Sequence, residues 1–189
     1  SWLGNGGADR VVDLAQEGEI DRYLADARSL GALFSFMSSI IFRREAWMSA
    51  HADASLLGTH YAHVQRLFSI GRQGGRLKYI AQPLVLCRGG TDSFREGGLA
   101  QRMLIDLHGF LKLAVALYGN NPSLRSSFLA VLRREHPWKR WVRVRAEARD
   151  SAQWREAGEL MRQAGYPGGA IATAALAGAT LGLLRRAIK

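Results

Sequence analysis

From Ala8 to Arg28 the apolar positions Val11, Val12, Leu14, Ala15, Ile20, Tyr23, Leu24 and Ala27 recur at steps of three and four between acids and arginines. That spacing predicts one amphipathic helix, ended by Gly31. Leu33 to Phe42 is aromatic and β-branched with small polar residues in its middle, the pattern of a buried strand whose serines face something other than a hydrophobic core. Arg43 and Arg44 open a short helix. A longer one is expected from Thr59, with Tyr61, Val64, Leu67, Phe68 and Ile70 on its apolar side. After the glycine turn Gly71 to Gly75, Leu77 to Leu86 reads as a second strand, which Pro83 places at an edge or a bulge. Residues 88–94 form a loop. Beyond it the period changes, and 96–118, 122–134, 137–149 and 151–164 all read as helices, parted by Asn120-Asn121-Pro122, Pro137 and Asp150-Ser151. The pattern is α/β over residues 1–95 and helical over 96–189, without an internal repeat.

Composition narrows the class. With 189 residues, 48% hydrophobic and 22% charged, the chain can bury a core without staples and is not of disordered type. Cys87 is the single cysteine, so an internal disulfide is excluded and reducing surroundings fit. The 26 Lys and Arg against 16 Asp and Glu leave a net +10, which predicts attraction to a polyanion: nucleic acid, an anionic membrane face or a phosphorylated substrate. Ser1 rather than Met opens the sequence, and Trp-Leu-Gly-Asn-Gly-Gly has neither the basic nor the apolar region of a signal peptide. The expectation is a piece of a longer protein.

Half of the excess charge sits in residues 131–149, where seven Lys and Arg accompany two Glu and interleave with Trp138 and Trp141. Tryptophan beside arginine suits the headgroup boundary, so membrane contact is expected ahead of nucleic acid, with a merely solvated basic helix as the alternative. Gly168 to Leu184 is uncharged and followed by Arg185 and Arg186, yet only five of its seventeen residues are Leu or Ile. Each of those favours insertion by roughly 0.3 to 0.6 kcal/mol, which points away from a membrane span. A helix packed on its own domain or lying at a membrane surface is the expectation, and Gly178-x-x-x-Gly182 permits close helix contact.

Chemistry by motif is sparse. The chain has no Cys pair, His-Glu-x-x-His, Gly-Lys-Ser/Thr loop, Gly-x-Ser-x-Gly or Asp-x-Asp. Glu17 and Glu19 are two apart and would point in different directions from a helix. Thr59-His60-Tyr61-Ala62-His63 is the densest cluster, with both imidazoles on one helical face and Thr59 as cap. A neutral imidazole can take a proton from an alcohol, although one histidine held in structure and one in solvent would read the same. Arg88, Thr91, Asp92 and Ser93 stand in a glycine-flexed loop, suited to gripping phosphate and hydroxyls or simply to an Asx turn with a paired Arg.

Three blocks in order carry a resemblance: Phe34-Ser35-Phe36-Met37-Ser38-Ser39-Ile40-Ile41-Phe42-Arg43-Arg44-Glu45-Ala46-Trp47, then Gly58-Thr59-His60-Tyr61-Ala62-His63-Val64, then Tyr79 through Phe94. Over residues 30–118 the chain resembles the acceptor-side half of family 2 glycosyltransferases, nearest the abequosyltransferase-like branch of O-antigen sugar transferases. The resemblance implies a GT-A fold, so that the first half would be a partial GT-A-like mixed sheet with helices. It also implies a nucleotide-sugar donor, a lipid-linked glycan acceptor, a divalent metal (Mg or Mn) on the diphosphate, and a base that deprotonates the acceptor hydroxyl. The family's acidic base falls here on Thr59 and His60, which makes His60 the expected catalytic base with Thr59 beside it. Ser38 and Ser39 would face sugar, and Arg88, Asp92 and Ser93 would close over donor or acceptor. The family's nucleotide-binding strands and its Asp-x-Asp metal motif are not in this sequence. The expectation is therefore an acceptor half, inactive alone, either a fragment or a remnant, with no metal ligand assigned in it. The implied place is cytoplasmic, peripheral at the inner membrane face, in O-antigen or other cell-surface polysaccharide synthesis. The alternative from another class is a non-catalytic basic module that docks on membrane or a partner.

Overall fold

A computed structural model of the chain describes residues 3, 4, 8–85, 98–147 and 151–187. These are mostly helical, around a small two-stranded sheet. Strand β1 (Arg10–Asp13) pairs antiparallel with β2 (Arg76–Tyr79), with Arg10 opposite Tyr79 and Asp13 opposite Arg76. The helices are α1 (Glu17–Asp26), α2 (Arg44–Ser49), α3 (Ala62–Arg72), α4 (Gly98–Tyr118), α5 (Pro122–Glu135), α6 (Trp138–Glu147), α7 (Ser151–Gln163) and α8 (Gly168–Ala187).

The single helix expected from Ala8 to Arg28 is instead β1 followed by α1. Asp13 makes the break: its carboxylate accepts from the Ala15 N–H at 2.9 Å, and its own N–H donates to Glu19 at 2.7 Å. An Asx turn of this kind competes with helix, and Glu17 and Glu19 then suit the positive end of α1.

The strand expected over Leu33 to Phe42 does not form. A strand needs a ladder, and here local turn bonds take most of the backbone groups, with side chains on others in the segment and just before it. Leu30–Leu33 and Met37–Ser39 are short 3-10 turns, with Phe34 left-handed at φ 61° between them. Tyr23 Oη donates to the Ala32 carbonyl, His63 Nε2 meets the Phe34 carbonyl at 2.9 Å, and Glu135 accepts from the Leu30 N–H at 3.1 Å. The second strand is shorter than expected, ending at Tyr79 rather than Leu86. Its partner β1 begins only at Arg10, and the next bond beyond that end, Ala81 N–H to Asp9, goes to a side chain.

The C-terminal half follows its expected boundaries closely. Asn121 caps α5 through its side chain on the Leu124 N–H at 3.0 Å, with Pro122 in the first turn. The core is continuous from β1 to α8. Its centre is aromatic: Phe68 packs edge-on against Phe34 and Phe128, at centroid distances of 5.1 and 5.8 Å, and Phe110 joins Tyr61 at 4.7 Å and Phe128 at 5.8 Å. Truncating such a ring to Ala costs about 3 to 5 kcal/mol.

Two residues of the basic segment are structural. Arg134 donates to the Leu24 carbonyl at 2.9 Å and also to that of Ala27, and Arg133 donates to the Ala164 carbonyl at 2.6 Å. They close the ends of α1 and α7, whose last carbonyls have no partner within the helix. Trp141, expected at a headgroup boundary, is instead fully buried against Tyr166 and His136, whereas Trp138 is 37% exposed.

Candidate functional site

The segment before α3 departs from the expected helix. Gly58 and His60 both have positive φ, 82° and 65°, and α3 begins only at Ala62. Thr59 is not a helix cap: its hydroxyl donates to the Leu56 carbonyl at 2.7 Å and accepts from the Tyr61 N–H at 3.2 Å. His60 and His63 therefore do not share a helical face. His63 is structural, held on the Phe34 carbonyl, and burial pushes its imidazole below the ordinary value. His60 is exposed.

His60 borders a cleft of about 340 Å³ lined by Gly58, Thr59, His60, Gln101, Leu104, Ile105, His108 and Glu156. That volume is in the range of small-ligand sites. Gln101, Leu104, Ile105 and His108 are spaced three and four apart, which brings them onto one face of α4. Leu104 is buried, so the floor is apolar, while the rims carry imidazole and carboxylate. In the same cleft, His108 Nε2 donates to Glu156 Oε1 at 2.7 Å, with both side chains half exposed. This carboxylate orients the ring and leaves Nδ1 for another partner. The pair was not legible in the sequence, because its members lie 48 positions apart on α4 and α7.

A buried network supports the cleft from behind. Asp106, on α4, accepts from the Tyr61 hydroxyl and from His136 Nε2 at 2.8 Å, with Arg102 3.4 Å away. Arg140 donates to His136 Nδ1 at 3.3 Å, and Tyr166 Oη to the His136 carbonyl at 2.6 Å. Burial first, and then the Asp106 carboxylate, push the Tyr61 phenol far above its usual range, so it stays a donor. The network ties the His60 turn, α4, α6 and the α7–α8 corner together.

Of the other expected site residues, Ser38 and Ser39 lie in the second 3-10 turn and do not line the cleft; Ser39 Oγ donates to the Phe36 carbonyl at 2.7 Å. Arg88, Asp92 and Ser93 lie outside the described residues. Among the described residues no three His, Cys, Asp or Glu converge on a metal position, and no ligand for the divalent ion that the resemblance implies is assigned among them. A larger hollow of about 580 Å³ lies between the β1–α1 turn and the α4–α5 corner. Its ionisable groups are Glu17, Arg72 and Tyr118; Arg72 already donates to the Leu117 carbonyl at 2.8 Å and burial pushes the Tyr118 phenol up, so of the two hollows the His60 cleft is the one lined by imidazoles.

Over 139 residues, 73% of its length, the chain is 42% identical to abequosyltransferase RfbV of Salmonella typhimurium. The sequence therefore resembles that of an abequosyltransferase. The match covers 41% of that relative, so this abequosyltransferase-like chain spans well under half of the whole protein it resembles. No family model matches it. No solved structure matches it either. The abequosyltransferase part of the resemblance seen in residues 30–118 is thus met by a relative over a longer stretch.

Proposed function

We propose that the chain is the acceptor-side part of a glycosyltransferase of O-antigen or related cell-surface polysaccharide synthesis, with residues 1–95 in the transferase domain and 96–189 as its helical extension. The observation that carries this is the 42% identity to an abequosyltransferase over 139 residues. The donor is a nucleotide-sugar and the acceptor a lipid-linked glycan, met at the inner membrane face by a protein of net +10. A family 2, GT-A arrangement belongs to the same reading. The β1–β2 pair supports it by offering a strand edge on which a larger mixed sheet can build.

The cleft supports a division of labour. His60 takes the proton of the acceptor hydroxyl, the step an imidazole can perform near neutral pH. Thr59 holds the turn that presents His60. His108, fixed by Glu156, accepts a second hydroxyl in the same cleft, and Leu104 with Ile105 meets the apolar face of a sugar ring. Ser38, Ser39, Arg88, Asp92 and Ser93 stay in the proposal as groups toward donor or acceptor. Dependence on Mg or Mn is proposed for the whole transferase, with ligands outside the described residues, and no step is assigned to it.

The test is the whole protein, expressed from its full reading frame and incubated with nucleotide-sugars and membrane extract. Donor consumption that requires the extract and is abolished by a chelator is expected. Failure to consume any nucleotide-sugar overturns the reading.

A further inference from the structure

Between Gly168 and Leu184 helix α8 carries no charged residue, and a helix apolar all round is one whose whole circumference is normally covered. Here one side is covered and the other is not. Ala174, Gly178 and Gly182 are buried, and the two glycines face α6. A Cβ on Gly178 would overlap the Arg145 side chain and lie 2.7 Å from the Val142 carbonyl oxygen, and one on Gly182 would lie 3.3 Å from that of Ala146. Close approach of the two backbones thus uses the small residues, and three of the large ones point away. Leu176, Leu183 and Leu184 are 72%, 67% and 56% exposed.

With Thr173, Ala177 and Thr180 these leucines make a continuous outer stripe at helical spacing. Its hydroxyls are already used: Thr173 donates to the Gly169 carbonyl at 2.8 Å and Thr180 to that of Leu176 at 3.1 Å. The stripe therefore offers methyl and leucine surface to whatever lies outside. Beside it α6 exposes Trp138, Lys139 and Arg143, and Arg185 and Arg186 follow Leu184 in the sequence. An apolar stripe flanked by cations is the surface of an interfacial helix, its polar side here supplied by the neighbouring α6. A second copy docked face to face would bring the two cationic flanks together.

We propose that the outer face of α8 lies in the headgroup and acyl boundary of an anionic bilayer, with the leucines inward and Lys139 and Arg143 on phosphate. The helix lies in the membrane plane. No helix among the described residues is long and apolar enough to cross. This deepens the peripheral-membrane part of the proposed function and does not depend on its sugar chemistry.

The test is co-sedimentation of the 189-residue chain with vesicles of phosphatidylcholine alone or mixed with phosphatidylglycerol. Binding to the mixed vesicles is expected, with a fall of about tenfold or more for Leu176→Glu or Leu183→Glu and a smaller fall for Leu176→Ser, all with the wild-type circular dichroism spectrum. Leu176→Ser, the milder change, keeps the test valid if a glutamate variant fails to fold. If wild type ignores the mixed vesicles, this proposal and the peripheral reading both fall. If the leucine variants bind as well as wild type, attraction is by charge alone and α8 is not the contact. If wild type self-associates and Leu183→Glu dissociates it without changing lipid binding, the face belongs to a second copy and the proposal is overturned.

Discussion

The ring of Tyr61 lies against the backbone of α4 at Gly109, where any side chain would collide with it. This contact lets α4 approach the Gly58–His60 turn and so sets the width of the cleft. A Cβ on Gly109 would overlap Tyr61 Cδ2, lie 2.9 Å from Cε2 and 3.0 Å from the Thr59 carbonyl oxygen. In an open helix Gly→Ala gains up to about 1 kcal/mol. Overpacking of this kind costs about 1 to 3 kcal/mol. Gly109→Ala is therefore expected to lower stability in urea unfolding by about 1 kcal/mol or more, and a gain in stability would show that the ring moves aside freely.

Asp106 is a buried carboxylate with three donors around it. Removing it strands the His136 and Tyr61 donors and takes from Arg102 one of its partners. Asp106→Ala is expected to lose about 3 to 5 kcal/mol. Tyr61→Phe, which removes one donor and keeps the rest, should lose about 1 to 2 kcal/mol. The double variant should lose less than the sum, because both changes act on one network. Additive losses in a double-mutant cycle would show that the two side chains are not coupled.

His63 gives a pH dependence of known sign. Its folded pKa lies below the ordinary 6.5, because burial disfavours the charged ring. The unfolded chain then binds the proton more readily, so stability is fully present above about 6.5 and falls as pH drops from there toward the folded value. His63→Gln keeps a donor for the Phe34 carbonyl and removes the titration. Urea midpoints measured across that window should fall with acid less steeply in the variant than in wild type. Parallel curves would assign the dependence to other groups.

His60 and His108 should separate by kinetics in the whole transferase. His60→Ala is expected to lower kcat by about 10² to 10⁴ with little change in donor affinity. His108→Ala and Glu156→Gln should raise the acceptor KM first, since their proposed role is to hold the acceptor. Neither should move stability by more than about 0.5 kcal/mol, because the pair is half exposed. If His108→Ala removes turnover and His60→Ala does not, the roles are reversed.

The sequence by itself determined the helical C-terminal half, from Gly98 to Ala187, because its periodicity, the Asn121-Pro122 start and the Pro137 break are local signals. It also carried the resemblance to abequosyltransferases, through three blocks in order. Tertiary structure decided what local signals cannot carry. Leu33 to Phe42 has strand chemistry but folds into local turns, with His63 and Ser39 on its carbonyls where a ladder would be. Asp13 divides an apparently continuous helix so that β1 can meet β2, more than sixty residues away. His63, which looked equivalent to His60, is held by Phe34, and the His108–Glu156 pair beside the cleft exists only once α4 and α7 pack. Burial acts in the same way on the basic segment. Trp141, Arg133 and Arg134 read as surface from composition, yet they fill the core and close helix ends, because unpaired terminal carbonyls attract guanidinium groups wherever the fold brings them within reach.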